Sequence, residues 1–564
     1  MPNPNPMLQM DMQPSLLGVV NLLPPSLLQP TDMFDAQNRL SQNDGINRPR
    51  PGKDLVQALP ISINRCNGFR HFHDQEFILG VTNVSNQSKW YSFTGVSSGP
   101  PYAGTFTALT TGSPPNFTTT ANLYSTVGLS NYFVCANGLV YQYNDTTWTQ
   151  VNVGAITQNF NYPMWFSNRL FVVSQNAGSK NTIYGSVILP NFSLSNQWDT
   201  VNLAIQLDES VNDQVVALFP YLNFTFLAFK TNSIYQIGVY PPSMVGQTGL
   251  PSFAASPITK LAGSIGCCEQ NTVAAVGNDV YFLSESGRGV YSINSLAQIS
   301  QYLTSGLLST SEAQVFEAAI SRPVQKYIDR INWSAISRSH AAAWDDLYVL
   351  SVPIDGSTVC NALLVYCVGT KKWQGIWNSY PDDAFAVQRI GSAMTDLYFV
   401  GTDSNLYRQW HAADKVWYDT NAGNTSIPVL FNSSLSSRGF KWGQNNYLVQ
   451  PFNFLLDFVD TPIPQGSQST ITPLLNGLPV TVGFIKDNSN TIPFVDQLLV
   501  GTGVNFLPLA GLPFNLDDER LFKSVSARKA GTCEELQVTL SGAGPWCIYR
   551  ISGSAWISRQ VTNV

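Results

Sequence analysis

The sequence is poor in charge. Asp, Glu, Lys and Arg make up 12% of its 564 residues, about half of the roughly 25% that is usual in soluble domains. Asn, Ser, Thr, Gln and Gly take their place, which disfavours long exposed helices and favours strands joined by polar turns. The net charge of −6 argues against a protein that grips nucleic acid by neutralising its phosphates.

Residues that build catalytic and metal sites are also scarce. The chain has four histidines and eight scattered cysteines, none of them in a Cys-x-x-Cys pair, which excludes zinc ribbons and thioredoxin-like motifs. Gly263-Ser264-Ile265-Gly266 is followed by Cys267 and not by Lys-Ser/Thr, so it is no phosphate-binding loop. We predict no catalytic residue, no metal and no cofactor, and we expect free thiols.

Targeting and membrane signals are missing as well. The N-terminus has no basic region followed by an apolar core, and no run approaches the roughly 18 apolar residues of a membrane span. We therefore expect synthesis in the cytoplasm without stable membrane insertion.

What the chain does contain is a recurring pair of short strands that carry Tyr or Phe, joined by a polar turn. Residues 131–135 lead through Asn137-Gly138 into residues 139–143, and Asn-Gly between apolar runs is a strong hairpin signal. Similar pairs recur at roughly 40–60 residues, the spacing of β-propeller blades, and predict about five to seven blades. The predicted fold is mainly β: a β-propeller with a short helical insertion, plus a C-terminal β-sandwich-like domain.

The pattern also predicts domain boundaries. Residues 1–60 are Pro- and Gln-rich and read as an extended arm that orders on assembly. The propeller spans 61–410, with helical periodicity at about 300–335, where Pro323 opens a piece in which Tyr327, Ile328 and Ile331 share a face. This insertion either makes a contact of its own or is a packed linker. Residues 411–564 form the C-terminal domain.

Several polar constellations have both a functional and a structural interpretation. His71 and His73 could form half of a metal site but have no completing ligands. The acidic pairs Asp345-Asp346, Asp382-Asp383 and Asp517-Asp518-Glu519 could serve a glycosidase, yet each lies in a turn, where Asp is favoured for local hydrogen bonds. Gly95-Val96-Ser97-Ser98-Gly99 precedes two prolines and not a helix, which indicates a turn. We favour the structural interpretation in each case.

Taken in order along the chain, several segments resemble the nozzle or hub proteins of short-tailed bacteriophages, also described as tail tubular or packaged-DNA stabilisation proteins. The matching segments are Arg48-Pro49-Arg50-Pro51-Gly52 before the first blade, then residues 272–284 and 287–291, residues 346–353, residues 361–366 and Lys372-Trp373. In the C-terminal hundred or so residues, only the general pattern of strand-like segments resembles that family.

The resemblance implies a virion structural protein that is not an enzyme. Such subunits form a homo-oligomeric, sixfold ring below the portal and tail adaptor, carry tail fibres or spikes, hold packaged DNA and pass it at infection. An acidic wall suits this task because it lets DNA slide. The resemblance makes Arg48 and Arg50 candidate assembly contacts. The alternatives are a receptor- or carbohydrate-binding β-propeller and a propeller glycoside hydrolase.

Overall fold

A computed structural model describes most of the chain. The described residues are 7–11, 18–29, 31–41, 46–73, 76–96, 103–154, 156, 159–194, 197–198, 204–208, 212–239, 258–296, 318–379, 381–388, 393–414, 419–421, 424–429, 431–441, 447–459, 478–486, 492–500, 520–527, 533–544 and 546–560. The fold is mainly β, as the composition predicts, and is built from many small antiparallel sheets.

Short strands begin the chain. Their bounds are β1 Met7–Asp11, β2 Gly18–Val19, β3 Asp32–Met33, β4 Asp35–Gln37, β5 Arg39–Ser41, β6 Asn47–Pro49 and β7 Lys53–Ala58, with a 3-10 helix at Pro25–Leu27. The sequence predicts an extended arm here. Apart from that 3-10 helix, its described residues are mostly in short strands. Strands β1, β4, β6 and β7 pair with strands from the rest of the same chain, while β2 and β3 pair with each other.

The next strands form five small sheets. Sheet 1 contains β8 Ile63–His73, β9 Glu76–Asn83, β10 Ser88–Val96 and β11 Ala103–Ala108; sheet 2 contains β12 Tyr124–Gly128, β13 Asn131–Ala136, β14 Leu139–Tyr143 and β15 Trp148–Gln150; sheet 3 contains β16 Phe160–Phe166, β17 Arg169–Ser174, β18 Thr182–Gly185 and β19 Ala204–Gln206; sheet 4 contains β20 Val215–Tyr221, β21 Thr225–Lys230, β22 Ile234–Gly238 and β23 Ile258–Ala262; sheet 5 contains β24 Ala274–Val276, β25 Asp279–Ser284 and β26 Gly289–Ser292. A 3-10 helix, Gln270–Thr272, precedes sheet 5.

A helical segment then interrupts the strands, as the periodicity predicts. It contains the 3-10 helix Arg322–Val324, the helix α1 Gln325–Ile328 and the 3-10 helix Trp333–Arg338. Tyr327, Ile328 and Ile331 are all buried, so the predicted apolar face is confirmed. The part of the predicted insertion at 300–317 lies outside the described residues. None of the helices in the described ranges has the length and apolar character that crossing a membrane requires.

Two more small sheets follow. Sheet 6 contains β27 His340–Trp344, β28 Leu347–Val352, β29 Ala362–Cys367 and β30 Lys372–Trp377; sheet 7 contains β31 Pro381–Gln388, β32 Thr395–Gly401 and β33 Asn405–Gln409. The fourth strand of sheet 7 is β7, which pairs antiparallel with β33, with Leu55 opposite Tyr407. The last of the small sheets is therefore completed by residues from the start of the chain.

The first strands of these sheets contact one another in a closed circuit. Strand β8 contacts β12, β12 contacts β16, β16 contacts β20, β20 contacts the 3-10 helix before sheet 5, β24 contacts β27, β27 contacts β31, and β31 contacts β8 again. The seven small sheets of the described chain therefore form a propeller-like ring. The count of five to seven propeller blades stays a prediction.

The hydrophobic core is divided among the gaps between neighbouring sheets. Successive residues of β9 enter different clusters: Ile78 packs with Tyr132 of sheet 2, and Leu79 packs with Val400 of sheet 7. Neighbouring residues of a strand point to opposite faces, so both faces of the sheet are covered. Burial on both faces explains why a strand such as β9 is a nearly continuous apolar run in the sequence.

The remaining strands follow a 3-10 helix at Ala412–Asp414. They are β34 Asp419–Asn421, β35 Asn424–Val429, β36 Asn432–Lys441, β37 Tyr447–Val459, β38 Leu478–Lys486, β39 Ile492–Val500, β40 Arg520–Ser526, β41 Glu535–Ala543 and β42 Cys547–Gln560. Strands β34 and β35 pair with each other, and the others build two larger sheets. Strands β36, β41, β38 and β39 extend sheet 6 through β4, while β40, β37, β42, β6 and β5 form a second sheet, to which β1 adds. Phe440, Phe454 and Phe484 pack between the two sheets.

One glycine allows β4 to join sheet 6. Gly375 of β30 has φ +92°, and a Cβ there would lie 2.2 Å from the carbonyl oxygen of Ala36. Only glycine fits this approach. The predicted Asn137-Gly138 turn is also confirmed, with both residues at positive φ and Ala136 paired with Leu139. All eight cysteines are free thiols, as expected.

Candidate functional site

Polar and ionisable side chains meet where the first strands of several sheets begin. They lie at or just before the N-terminal ends of β8, β12, β27 and β31, and just before the 3-10 helix that precedes sheet 5. We call this group the centre cluster, and it comprises Arg65, Asn122, Glu269, Arg338 and the pair Asp382-Asp383. Arg65, Glu269 and Asp382 are all buried.

The two aspartates join sheet 7 to sheet 1. Asp382 accepts a hydrogen bond from the backbone N–H of Cys66 at 2.9 Å, and Asp383 accepts one from the backbone N–H of Phe69 at 2.8 Å. The inner strands β31 and β8 contact each other without pairing as a ladder. The carboxylates therefore accept hydrogen bonds from backbone N–H groups of β8, a role that the carbonyl groups of a paired neighbouring strand would otherwise have.

Arg338 neutralises one of these carboxylates. Its Nη2 lies 2.9 Å from the other oxygen of Asp382, and the two side chains are 20% and 2% exposed. Asp382 is thus bonded on both oxygens, to sheet 1 and to the segment before sheet 6. This is the arrangement that a buried charge needs if it is not to destabilise the fold.

Asn122 makes the second junction. Its amide nitrogen lies 2.9 Å from Glu269 and 2.6 Å from the carbonyl oxygen of Ser337, and its amide oxygen accepts from Arg65. Residues from before sheets 2, 5 and 6 and from sheet 1 therefore meet at one amide group. Asn122 therefore links sheet 1 to the segments that precede sheets 2, 5 and 6.

Burial shifts the pKa values of the cluster. It raises the pKa of Glu269 from 4.5 to about 7. Burial, reinforced by the charge of neighbouring Asp382, raises the pKa of Asp383 from 3.8 to about 7. Burial also lowers the pKa of the nearby His340 to about 4, so this imidazole is neutral at pH 7. Two carboxyl groups thus titrate near neutral pH, as general acids of hydrolases do, yet Asp383 accepts backbone hydrogen bonds on both oxygens.

The other acidic and histidine candidates are dispersed. His73 lies 3.3 Å from Asp145, while His71 stacks on Phe385, so the two imidazoles have separate partners. Asp345 sits at positive φ in the hairpin turn of sheet 6 and pairs with His411 at 2.8 Å. Within the described ranges, no three His, Cys, Asp or Glu side chains form a group that could hold a metal ion. Ser97 and Asp517-Asp518-Glu519 lie outside those ranges.

The two predicted assembly arginines differ in environment. Arg50 is 1% exposed and binds both oxygens of Asp419 at 2.9 and 2.8 Å, with its guanidinium 3.9 Å from the ring centroid of Phe431. Arg48 is half-buried and donates to the carbonyl of Ile46 at 3.4 Å. Arg50 thus holds the N-terminal segment to the C-terminal strands of its own chain. Contact with another subunit stays a prediction for both.

A further arginine, which the sequence does not single out, plays the same role. Arg39 is fully buried and donates to the side chain and the carbonyl of Asn47, both at 2.6 Å, and to the carbonyl of Trp546 at 3.0 Å. Its guanidinium lies 4.0 Å from the Trp546 ring centroid. No short motif in the sequence marks Arg39 or the centre cluster, because many of their partners lie far away in the chain: Trp546 is 507 positions from Arg39, and Asp382 is 316 positions from Cys66.

Comparison with known proteins adds little. No family model matches the chain, and no curated protein matches it. Among solved structures, one similar chain belongs to the crystal structure of a mitotic checkpoint complex. It is 13% identical, the match covers 63% of this chain and 93% of that chain, and the TM-score is 0.35.

Proposed function

We propose that the chain is a structural subunit of a phage virion: one copy of the nozzle or hub ring that lies below the portal and adaptor in a short-tailed tail. Its seven small sheets are the blades of a β-propeller, and its two larger sheets form a β-sandwich-like domain. The proposal rests on the ordered resemblance of residues 48–52, 272–284, 287–291, 346–353, 361–366 and 372–373, and on one structural observation.

That observation is how the N-terminal segment joins the two parts. Strand β7 completes sheet 7, β4 lies between β30 and β36, and β5 and β6 join the sheet of β42. Two buried arginines, Arg39 and Arg50, bind the C-terminal strands. A subunit that retains pressurised DNA must transmit force without its parts separating, and this construction resists separation.

The proposed assembly is a cyclic, sixfold ring of copies of this chain, distinct from the propeller-like ring within each copy. A cyclic assembly uses heterologous interfaces, in which two different faces of each copy match. DNA would pass through the middle of this sixfold ring, and the net charge of −6 on each chain would limit sticking. In this mechanism the propeller, whose sheets the centre cluster links, is a rigid block and not the conduit.

The test is assembly. We expect the purified full chain to form rings, either alone or on a portal–adaptor complex. Mass photometry detects such a ring by its mass, and electron microscopy shows whether its density is coaxial with the portal. Arg48→Gln should weaken docking, whereas Lys89→Gln, a change of the same charge in sheet 1, should not. A monomer that ignores the portal under all conditions would refute the proposal.

One observation favours a second candidate, a propeller glycoside hydrolase. Glu269 and Asp383 both have a pKa raised to about 7, and glycosidases use a carboxyl group with a raised pKa as the general acid. A glycan array followed by reducing-end assays tests this candidate. Hydrolysis that Glu269→Gln abolishes in a folded protein would support it over the structural role.

A further inference from the structure

A cavity lies where three distant parts of the chain meet. The turn between β25 and β26 supplies Arg288, the helical segment supplies Gln325, Asp329 and Trp333, and the N-terminal segment supplies Leu22. Its volume is about 540 Å³, within the range of roughly 300–1,000 Å³ typical of ligand sites. The N-terminal wall is fixed by hydrogen bonds from the backbone N–H groups of residues 21 and 22 to the carbonyl of Pro323, at 2.8 and 3.2 Å.

One buried acceptor in this lining has no donor. Gln325 is 6% exposed, and its Nε2 donates to Asp329 at 2.9 Å, which fixes the orientation of the amide. The opposite atom, Oε1, has no hydrogen-bond partner among the described residues. Buried polar atoms are nearly always paired, so this acceptor is left for an N–H or O–H donor that the described residues do not supply.

The mouth of the cavity is cationic. The guanidinium of Arg288 stacks 4.9 Å from the ring centroid of Trp333. It is exposed, and within the described residues it forms no ion pair. A stacked guanidinium keeps its planar fork of N–H donors directed outward, which suits a carboxylate. Arg322 brings a second guanidinium to the lining.

We propose that this cavity binds an acidic peptide segment of another protein chain. A Glu or Asp side chain of the peptide pairs with Arg288, and a peptide backbone N–H donates to Oε1 of Gln325. The aliphatic parts of the peptide rest on Leu22, which is half-buried at the edge of the cavity. Asp329 in the same lining repels a polyanion, so the charge pattern favours a peptide with one carboxylate over DNA. The proposal does not depend on the function proposed above.

The experiment uses ¹⁹F NMR on the full chain. All tryptophans are replaced by 5-fluorotryptophan, and Trp333→Phe assigns the signal of Trp333. The probe is N-acetyl-Ala-Glu-Ala amide, with N-acetyl-Ala-Gln-Ala amide as the neutral isostere and an oligothymidylate as the nucleic acid. Arg330→Gln is the matched control, because Arg330 is exposed, pairs with Asp355 at 2.7 Å and does not line the cavity.

We expect the Glu peptide to shift the Trp333 signal saturably. The Gln peptide and the Arg288→Gln variant should each bind at least tenfold more weakly, because each removes the charge-assisted pair. Arg330→Gln should bind as the wild type does. Gln325→Met, which removes the acceptor, should also bind more weakly. Equal binding of both peptides, equal loss in Arg330→Gln, no shift at all, or a shift by oligothymidylate alone would each overturn the proposal.

Discussion

Breaking the pair between Asp382 and Arg338 should loosen the junction of sheets 7 and 1. Asp382→Asn keeps the shape of the side chain and an acceptor for the N–H of Cys66, but it removes the charge opposite Arg338. Removing one partner of a buried ion pair costs roughly 3–5 kcal/mol. Because the Arg338 side chain is 20% exposed and water screens part of its charge, we expect about 2–3 kcal/mol.

Asp382→Ala should cost more. It also removes the acceptor for Cys66 N–H, and an unsatisfied buried donor costs roughly 1–3 kcal/mol. The double variant Asp382→Asn/Arg338→Met removes both charges, so it should be less destabilised than the sum of the two single variants. The coupling energy should fall at about 1–3 kcal/mol.

Hydrogen exchange measured by mass spectrometry is the suitable assay, since a chain of this size need not unfold in two states. Peptides that cover β8 should exchange faster in Asp382→Asn by about 30- to 150-fold, the equivalent of 2–3 kcal/mol. Asp346→Asn is the control, because Asp346 lies exposed in a turn of sheet 6. If β8 exchanges alike in Asp382→Asn and in the control, the carboxylates do not close the ring.

Other changes test the remaining parts of the fold. The pKa of Glu269 is raised from 4.5 to about 7. The stabilisation that its protonated form gives the folded state is therefore fully present below pH 4.5, and it is lost as pH rises through 7. Glu269→Gln should remove about 3 kcal/mol of this pH dependence, measured as the difference in thermal stability from wild type between pH 5 and 8. Arg50→Met should leave the carboxylate of Asp419 without its buried partner and lower stability by about 3 kcal/mol in thermal melts, and Arg50→Lys should not restore it fully because lysine cannot bind both oxygens at once. Deleting residues 1–58 should expose the edge of β33 and give aggregates on size exclusion, whereas a soluble monomer would show that β7 is dispensable.

Local features of the fold were predictable from the sequence. Alternation of apolar and polar residues, together with turn residues such as Asn137-Gly138, predicts the strand pairs. The spacing of Tyr327, Ile328 and Ile331 predicts their shared apolar face. The extended conformation at Arg48-Pro49 follows from proline, which fixes φ. Each of these signals involves residues close together in the chain.

Long-range pairing was not predictable. Leu55 and Tyr407 are partners in one sheet, and Arg50 binds Asp419 across 369 positions, but no periodicity links such segments. The alternating Pro and Arg at 48–51 suggest side chains that project outward, whereas Arg50 points inward to a carboxylate. For the same reason Asp382-Asp383 reads as a turn pair, although its acceptors serve a strand more than 300 positions away.

The closure of the ring has a consequence for folding. Sheet 7 contains residues from both 53–58 and 381–409, so the ring cannot close until the chain is synthesised past residue 409. Strand β4 pairs with β36 on one side, so it cannot be fully paired until β36 has also been synthesised. During synthesis the N-terminal segment is therefore an unpaired set of strands, which is an aggregation hazard. Prolines interrupt this segment, and proline lacks the N–H that a neighbouring strand would accept. The prolines of residues 1–60 therefore limit pairing with other chains while these strands lack their partners.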